Sequence, residues 1–147
     1  MAKSRNSINK ILVPIDGSET SFNTAKHALS MAKERKASIT LLYVSDIPPL
    51  PLHAEHLEKY YEEVRQEADE WFKKIKNFPE SKDVEIKTKV ITAAMSVVGS
   101  IVKFAEDNDM DLIVIGTRGR SKFTKLILGS VASGVTAHAH CPVLVVR

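Results

Sequence analysis

The chain is poor in several things that would have pointed to particular classes of protein. It holds one cysteine, Cys141, in 147 residues, so no disulfide forms within it, in keeping with a reducing compartment. No apolar run approaches the roughly 20 residues needed to cross a bilayer. The apolar stretch Ile11 to Ile15 behind the basic N-terminus is shorter than a signal-peptide core and contains Pro14. A cytoplasmic protein without a membrane partner is expected. Aromatic residues make up only 6%, and Phe123 alone interleaves Arg118, Arg120, Lys122 and Lys125. That basic stretch therefore lacks the stacking platform of a single-strand nucleic-acid binder. The net charge of +3 is too mild to argue for nucleic acid by itself.

What is present is ordinary for a globular chain: 44% hydrophobic and 27% charged residues. The length predicts a single domain over residues 1–147 that buries roughly two thirds of its unfolded surface, with residues 1–9 as a flexible N-terminal arm. No internal repeat or low-complexity segment interrupts it. The Pro-rich stretch Ile47 to His53 reads as a loop within the fold, because patterned segments flank it on both sides.

Strand-like and helix-like patterns alternate. The runs beginning at Lys10, Ile39, Asp111 and Pro142 are short, nearly continuous apolar stretches rich in Val, Ile and Leu, as strands covered on both faces should be. Val84 to Ile91 instead alternates apolar with charged residues, which predicts an edge strand with one exposed face. Ser18 is placed to cap a first helix carrying Phe22, Ala25, Leu29 and Ala32. A longer helix carries Leu57, Tyr61, Val64, Ala68, Trp71 and Ile75 on one stripe, which assigns Trp71 to the core. Val97 to Ala105 marks a third helix, and a capped fourth is expected over Ser130 to Ala139. The order β-α-β-α-β-α-β-α-β predicts an α/β fold: a parallel sheet with helices on both faces and right-handed crossovers.

Such sheets bind ligands beyond the carboxyl ends of their strands. Three features fall there: Pro14 to Ser18, Val44 to Asp46, and Gly116 onward. From Gly116 the chain reads G-x2-G-x9-G-S, using Gly116, Gly119, Gly129 and Ser130. Glycine lets backbone N–H groups approach an anion, and a helix starting at Ser130 aims its positive end at the same place. Three or four charge-assisted hydrogen bonds at roughly 1.5–3 kcal/mol each, less the binding entropy, reach micromolar affinity. Alone, three glycines favour a plain turn. The strand before Gly116 and the helix after Gly129 favour phosphate binding. Asp16 is placed to accept a ribose hydroxyl or hold Mg²⁺ through water, although Asp-Gly-Ser is also common turn chemistry. Val44 offers either a base-reading backbone or simply core. His138, His140 and Cys141 cluster like metal ligands, but no fourth ligand is recognisable, and a helix C-terminus commonly carries His.

These segments resemble the universal stress protein family in order and spacing, from Lys10 to Ser18 through Leu41 to Asp46, Asp111 to Gly119, Gly129 to Val135 and Cys141 to Arg147. The resemblance covers essentially the whole chain. It implies a five-stranded parallel sheet of order 3-2-1-4-5 and, with the glycine pattern complete, an ATP- or AMP-binding member. Carried over by position, Gly116, Gly119, Gly129 and Ser130 would lie at the phosphates, with the Val131 amide beside them and Arg118 adding charge. Asp16 would face the ribose and any Mg²⁺ or Mn²⁺ that accompanies ATP, Pro14 would shape its turn, and Val44 would lie by the adenine. The family also implies a homodimer paired through Val143, Leu144, Val145 and Val146. One departure is visible. Many members enter the third helix through Gly-x-Pro, where this chain has Thr92 to Val98 without either residue, leaving the wall around Val90 to Met95 open.

Neither a Walker A motif nor a base placed to activate water is recognisable. The expectation is therefore a nucleotide-responsive stress or signalling regulator with an unidentified protein partner and at most weak ATPase activity. The alternatives are a slow ATP hydrolase and a nucleotide-independent chaperone or interaction module.

Overall fold

The computed structural model describes residues 7–46, 48, 53–117 and 128–147. Its strands are β1 (Lys10–Pro14), β2 (Ser38–Ser45), β3 (Ile86–Thr92), β4 (Leu112–Gly116) and β5 (Val143–Val146), and its α-helices are α1 (Glu19–Arg35), α2 (Ala54–Lys76), α3 (Val97–Asp107) and α4 (Ser130–His138). They form one sheet of order β3-β2-β1-β4-β5, with each neighbouring pair parallel. The order 3-2-1-4-5 is the expected one.

Strand parity divides the core in two. Ile11, Val13, Ile39, Leu41, Leu112 and Val114 pack with Ala25, Leu29, Phe72 and Ile75 of α1 and α2. The intervening Leu12, Leu42, Val44, Ile113 and Ile115 pack with Ile101, Ala105, Ala132 and Val135 of α3 and α4. Successive side chains of a strand point to opposite faces, so a strand apolar at every position is one with helices on both sides. The charged alternation of β3 marks a strand covered on one side only, and β3 is indeed an edge. It begins two residues later than its sequence pattern. Asp83 has a φ of 65° and the Val84 N–H donates to Ser81 O, so Val84 belongs to the preceding turn.

Among the described arm residues, Asn9 is tied down on two sides. Its N–H and that of Lys10 each donate to Asp111 Oδ2 at 2.9 Å, while Asn9 O accepts from Ser38 N. Residues 1–6 lie outside the described set. In α2 the buried positions are Ala68, Phe72 and Ile75. Leu57, Tyr61 and Val64, in the first half of the same stripe, stay half-buried. Two cation–π contacts fix α2 against α1 and the turn that follows α2: Lys74 Nζ over the Phe22 ring at 4.1 Å and Lys26 Nζ over Phe78 at 4.8 Å.

Candidate functional site

The chain leaves β1 to the β2 side through α1 and returns on the other side as β4, so strand order reverses between β1 and β4. Ligand clefts of open parallel sheets sit at this reversal, beyond the strand carboxyl ends. A pocket of about 260 Å³ opens there. It is just below the ~300–1,000 Å³ common for ligand clefts. Pro14, Ile15 and Asp16 line it from β1, Leu42 to Val44 and Asp46 from β2, Ile115 to Thr117 from β4, Val97 and Ile101 from α3, and Gly129 to Ala132 from α4. Seven of the nine residues expected at a nucleotide thus meet around one cavity: Pro14, Asp16, Val44, Gly116, Gly129, Ser130 and Val131. Arg118 and Gly119 lie outside the described residues, as do Arg120, Lys122 and Lys125.

One end of the pocket is the N-terminus of α4. The sequence pattern predicted a capped helix, but the N-cap is Gly129, which has no side chain to accept from the first turn. The helix's first internal bond is Ser133 N to Gly129 O at 2.9 Å. The amides of Ser130, Val131 and Ala132 therefore have no intrahelical acceptor, and the positive end of the helix dipole sits among them. By contrast, α1 and α3 are closed by their own serines: Ser18 accepts from Ser21 N and Ser96 from Gly99 N. Gly129 N donates to Thr117 O at 2.6 Å and Thr117 N donates to Val146 O at 2.9 Å, which fastens the start of α4 over the end of β4.

The opposite end is apolar and carries an open backbone edge. Ile15 N donates to Leu42 O, and Ala93 N donates to Ser45 O, so even-numbered residues of β2 turn their backbone groups to β1 and odd-numbered ones to β3. Val44 therefore turns its N–H and C=O toward β1, one step beyond the last β1–β2 bond, where the pocket begins. Val97, Ile101 and Val131 give this end apolar walls.

Asp16 sits on the turn between β1 and α1. Its Oδ1 accepts from Ser18 N at 3.0 Å and from Ser18 Oγ at 2.5 Å, and Ser18 Oγ in turn accepts from Ser21 N at 3.1 Å. The carboxylate is thus held by the same serine that caps α1. Among the described lining residues, Asp16 and Asp46 carry the formal charge.

The segment Thr92 to Val98, where this chain departs from the common family pattern, is now defined. Ala93 is buried, Ser96 caps α3, and Met95 points to solvent at 95% exposure. The wall left open in the sequence is built by Val97 and Ile101 rather than by Val90 to Met95. Sequence reasoning missed those two, along with Tyr43. Asp46 and Thr117, just past the ends of β2 and β4, fell within the strand-end segments singled out in the sequence but were given no role there. The α3 residues were not legible, because a pocket-lining valine and a core valine share one helical spacing.

Two other expectations concern the far end of the molecule. His138 is in the last turn of α4, and His140 Nε2 lies 3.4 Å from Glu106 Oε2. Among the described residues no group of three or more metal-ligating side chains converges. Burial, followed by the nearby Asp111 charge, pushes the Cys141 thiol above its ordinary pKa. No helix among the described residues is long and apolar enough to cross a membrane.

Fold and pocket together define a doubly wound α/β domain with a ligand cleft at its strand-order reversal. The chain belongs to the universal stress protein family, whose match spans residues 7–147. It is 42% identical over 144 residues to a universal stress protein of Methanocaldococcus jannaschii, covering 97% of this chain and 84% of that one. Among solved structures, the universal stress protein UspA of Lactobacillus plantarum is similar with a TM-score of 0.76 at 25% identity, over 95% of this chain and 97% of that one. A universal stress protein of Archaeoglobus fulgidus, solved in complex with dAMP, has a TM-score of 0.63 at 22% identity, over 95% of this chain and 98% of that one. At that identity the likeness is one of fold.

Proposed function

We propose that the pocket holds an adenine nucleotide, ATP or AMP, and that the protein is a nucleotide-responsive stress or signalling regulator rather than a dedicated enzyme. The observation that carries this reading is the N-terminus of α4, without a side-chain cap, lining one cavity with Val44, whose backbone lies one step beyond the last β1–β2 bond among the described residues. Adenine presents a donor and an acceptor side by side on its pairing edge, which matches one N–H and one C=O of a strand. Phosphate oxygens match the amides of Ser130 and Val131 at a positive helix end. Gly116 permits close approach, and Arg118 and Gly119 belong to the same reading by sequence. Between the two ends, Asp16 accepts ribose hydroxyls and, with ATP, helps hold Mg²⁺ or Mn²⁺ through water. The dAMP bound by the Archaeoglobus fulgidus protein supports the ligand class.

Phosphoryl transfer needs a placed nucleophile and compensation of developing charge. The ionisable groups of the described lining are Asp16, already engaged by Ser18, and Asp46. Binding without fast turnover is the better reading.

Mass spectrometry of nucleotide released from freshly purified, denatured protein, with calorimetric titration of ATP into nucleotide-free protein, tests the proposal. Adenine nucleotide near one per chain and micromolar binding are expected. Absence of both nucleotide and heat would sink it, and ATP turnover above about 1 s⁻¹ would replace the regulator with an enzyme.

The same reading includes a homodimer through β5. That strand pairs with β4 on one side only, and Leu144 is exposed on it. An apolar edge without gatekeeping charge favours a partner strand, and a second copy supplies one across a two-fold axis.

A further inference from the structure

Trp71 is the single tryptophan of the chain and lines no wall of the pocket, yet it lies directly behind the turn that presents Asp16. Gly17 has a φ of 80°, and a Cβ built on it would fall 2.4 Å from Trp71 Cε2 and Cζ2 and 2.9 Å from Nε1. The indole is therefore in contact with the Gly17 backbone itself. A second contact holds the indole. Tyr43, whose residue lines the pocket, meets it edge-on with ring centroids 4.9 Å apart and planes at 87°. The neighbouring α2 residues Phe72 and Ile75 are buried in the core.

Gly17 stands between the two residues whose mutual hydrogen bonds orient the Asp16 carboxylate. A left-handed turn with a glycine at its apex is free to move unless something fills the space behind it. Trp71 fills that space and connects the turn to a helix that is otherwise remote from the ligand.

We propose that Trp71 is a positioning residue: it presses the Asp16–Gly17–Ser18 turn toward the pocket and, through Asp16, gives the site its selectivity for nucleotides with intact ribose hydroxyls. This rests on the nucleotide reading above. A carboxylate holding a hydroxyl pair discriminates steeply by position, because a hydrogen bond weakens sharply as its geometry opens. With divalent cation removed, so that no metal bridges Asp16 to the phosphates, a ligand lacking both hydroxyls does not sense that position.

The test is calorimetric titration, in chelator and without divalent cation, of ATP and of 2′,3′-dideoxy-ATP into wild type, Trp71→Phe and Trp71→Ala. Trp71→Phe keeps an aromatic ring on the stripe and withdraws the outer indole atoms from Gly17. Wild type is expected to prefer ATP, and both variants to bind ATP roughly tenfold or more weakly, the worth of one hydrogen bond to a charged group. Dideoxy-ATP should change by no more than about twofold, which also shows that the variants remain folded. Equal weakening of both ligands, or unchanged ATP affinity in both variants, would overturn the proposal while leaving the nucleotide reading intact. Failure of wild type to bind either ligand would instead overturn the nucleotide reading, and this inference with it.

Discussion

Substituting Gly129 by Asp should move stability and affinity in opposite directions. Gly129 has φ −59° and ψ 156°, a region open to any L-residue, so the backbone tolerates a side chain. Aspartate is among the best N-caps and improves on glycine by a few tenths of a kcal/mol. Its charge at the helix N-terminus adds about 0.3–1 kcal/mol. The ligand-free protein should therefore gain about 0.5–1.5 kcal/mol, raising Tm by roughly 1–5 °C for a domain of this size. That carboxylate occupies the same amides a phosphate needs. The ligand loses one or two charge-assisted hydrogen bonds at roughly 1.5–3 kcal/mol each and meets a like charge worth about 1–4 kcal/mol at 4 Å. The net loss of about 3 kcal/mol or more is at least a hundredfold in Kd. Gly129→Asn, which caps without charge, should fall between. Scanning calorimetry without nucleotide and titration with ATP read the two quantities separately. A stabilised variant whose ATP affinity stays within about threefold would refute the assignment of these amides to phosphate. A destabilised variant would refute the cap geometry.

Gly134 in α4 lies against Val98 of α3, where a Cβ would come within 2.7 and 2.8 Å of the two valine methyls. Alanine there gains about 1 kcal/mol of helix propensity, but overpacking against a side chain stiff at χ1 costs about 1–3 kcal/mol. Gly134→Ala should lower Tm in a thermal melt and Val98→Ala in the same chain should recover part of the loss; a higher Tm for the single variant would contradict the close contact. Leu144→Asp places a charge on the exposed position of β5 and, if two copies pair there, should convert a dimer to a monomer in light scattering after gel filtration, with the melt little changed. An unaltered dimer would move the interface elsewhere. Because burial and Asp111 raise the Cys141 pKa, its thiolate fraction is smaller than that of free cysteine at the same pH. Reaction with a disulfide reagent at pH 8 should be slower than for a free thiol and climb as pH rises; a rate at or above that of free cysteine would contradict the assignment.

Much of this architecture was legible because each strand carries its environment in its pattern. The nearly continuous apolar runs of β1, β2 and β4, rich in Val, Ile and Leu, mean helices on both faces, and the Lys87 and Lys89 alternation of β3 means an edge. The ends of those strands were legible as a site because Asp16, Val44 and Gly116 all stand at carboxyl ends. What escaped depends on tertiary geometry. Trp71 has the right helical phase for the core, and nothing local says that its indole lands on Gly17. A glycine before Ser130 reads equally as a break or as an open cap, and only the absent side-chain acceptor on Gly129 decides. The stripe of α2 overstated burial at Leu57, Tyr61 and Val64, because periodicity records which face is apolar and not how deeply each turn is covered.

The hydrogen bond from Thr117 N to Val146 O joins the residue following Gly116 to the last position of the edge strand, in register with the pairing of Gly116 and Val146. The rim of the cleft and the outer margin of the sheet are thus consecutive links of one backbone ladder. A body that grips β5 reaches the glycine wall through peptide units, which transmit displacement with little slack. If a second copy pairs there and a nucleotide fills the cleft, as proposed, the two events share this ladder. Reciprocity requires that whatever filling the cleft does to assembly, assembly does to filling, by the same factor.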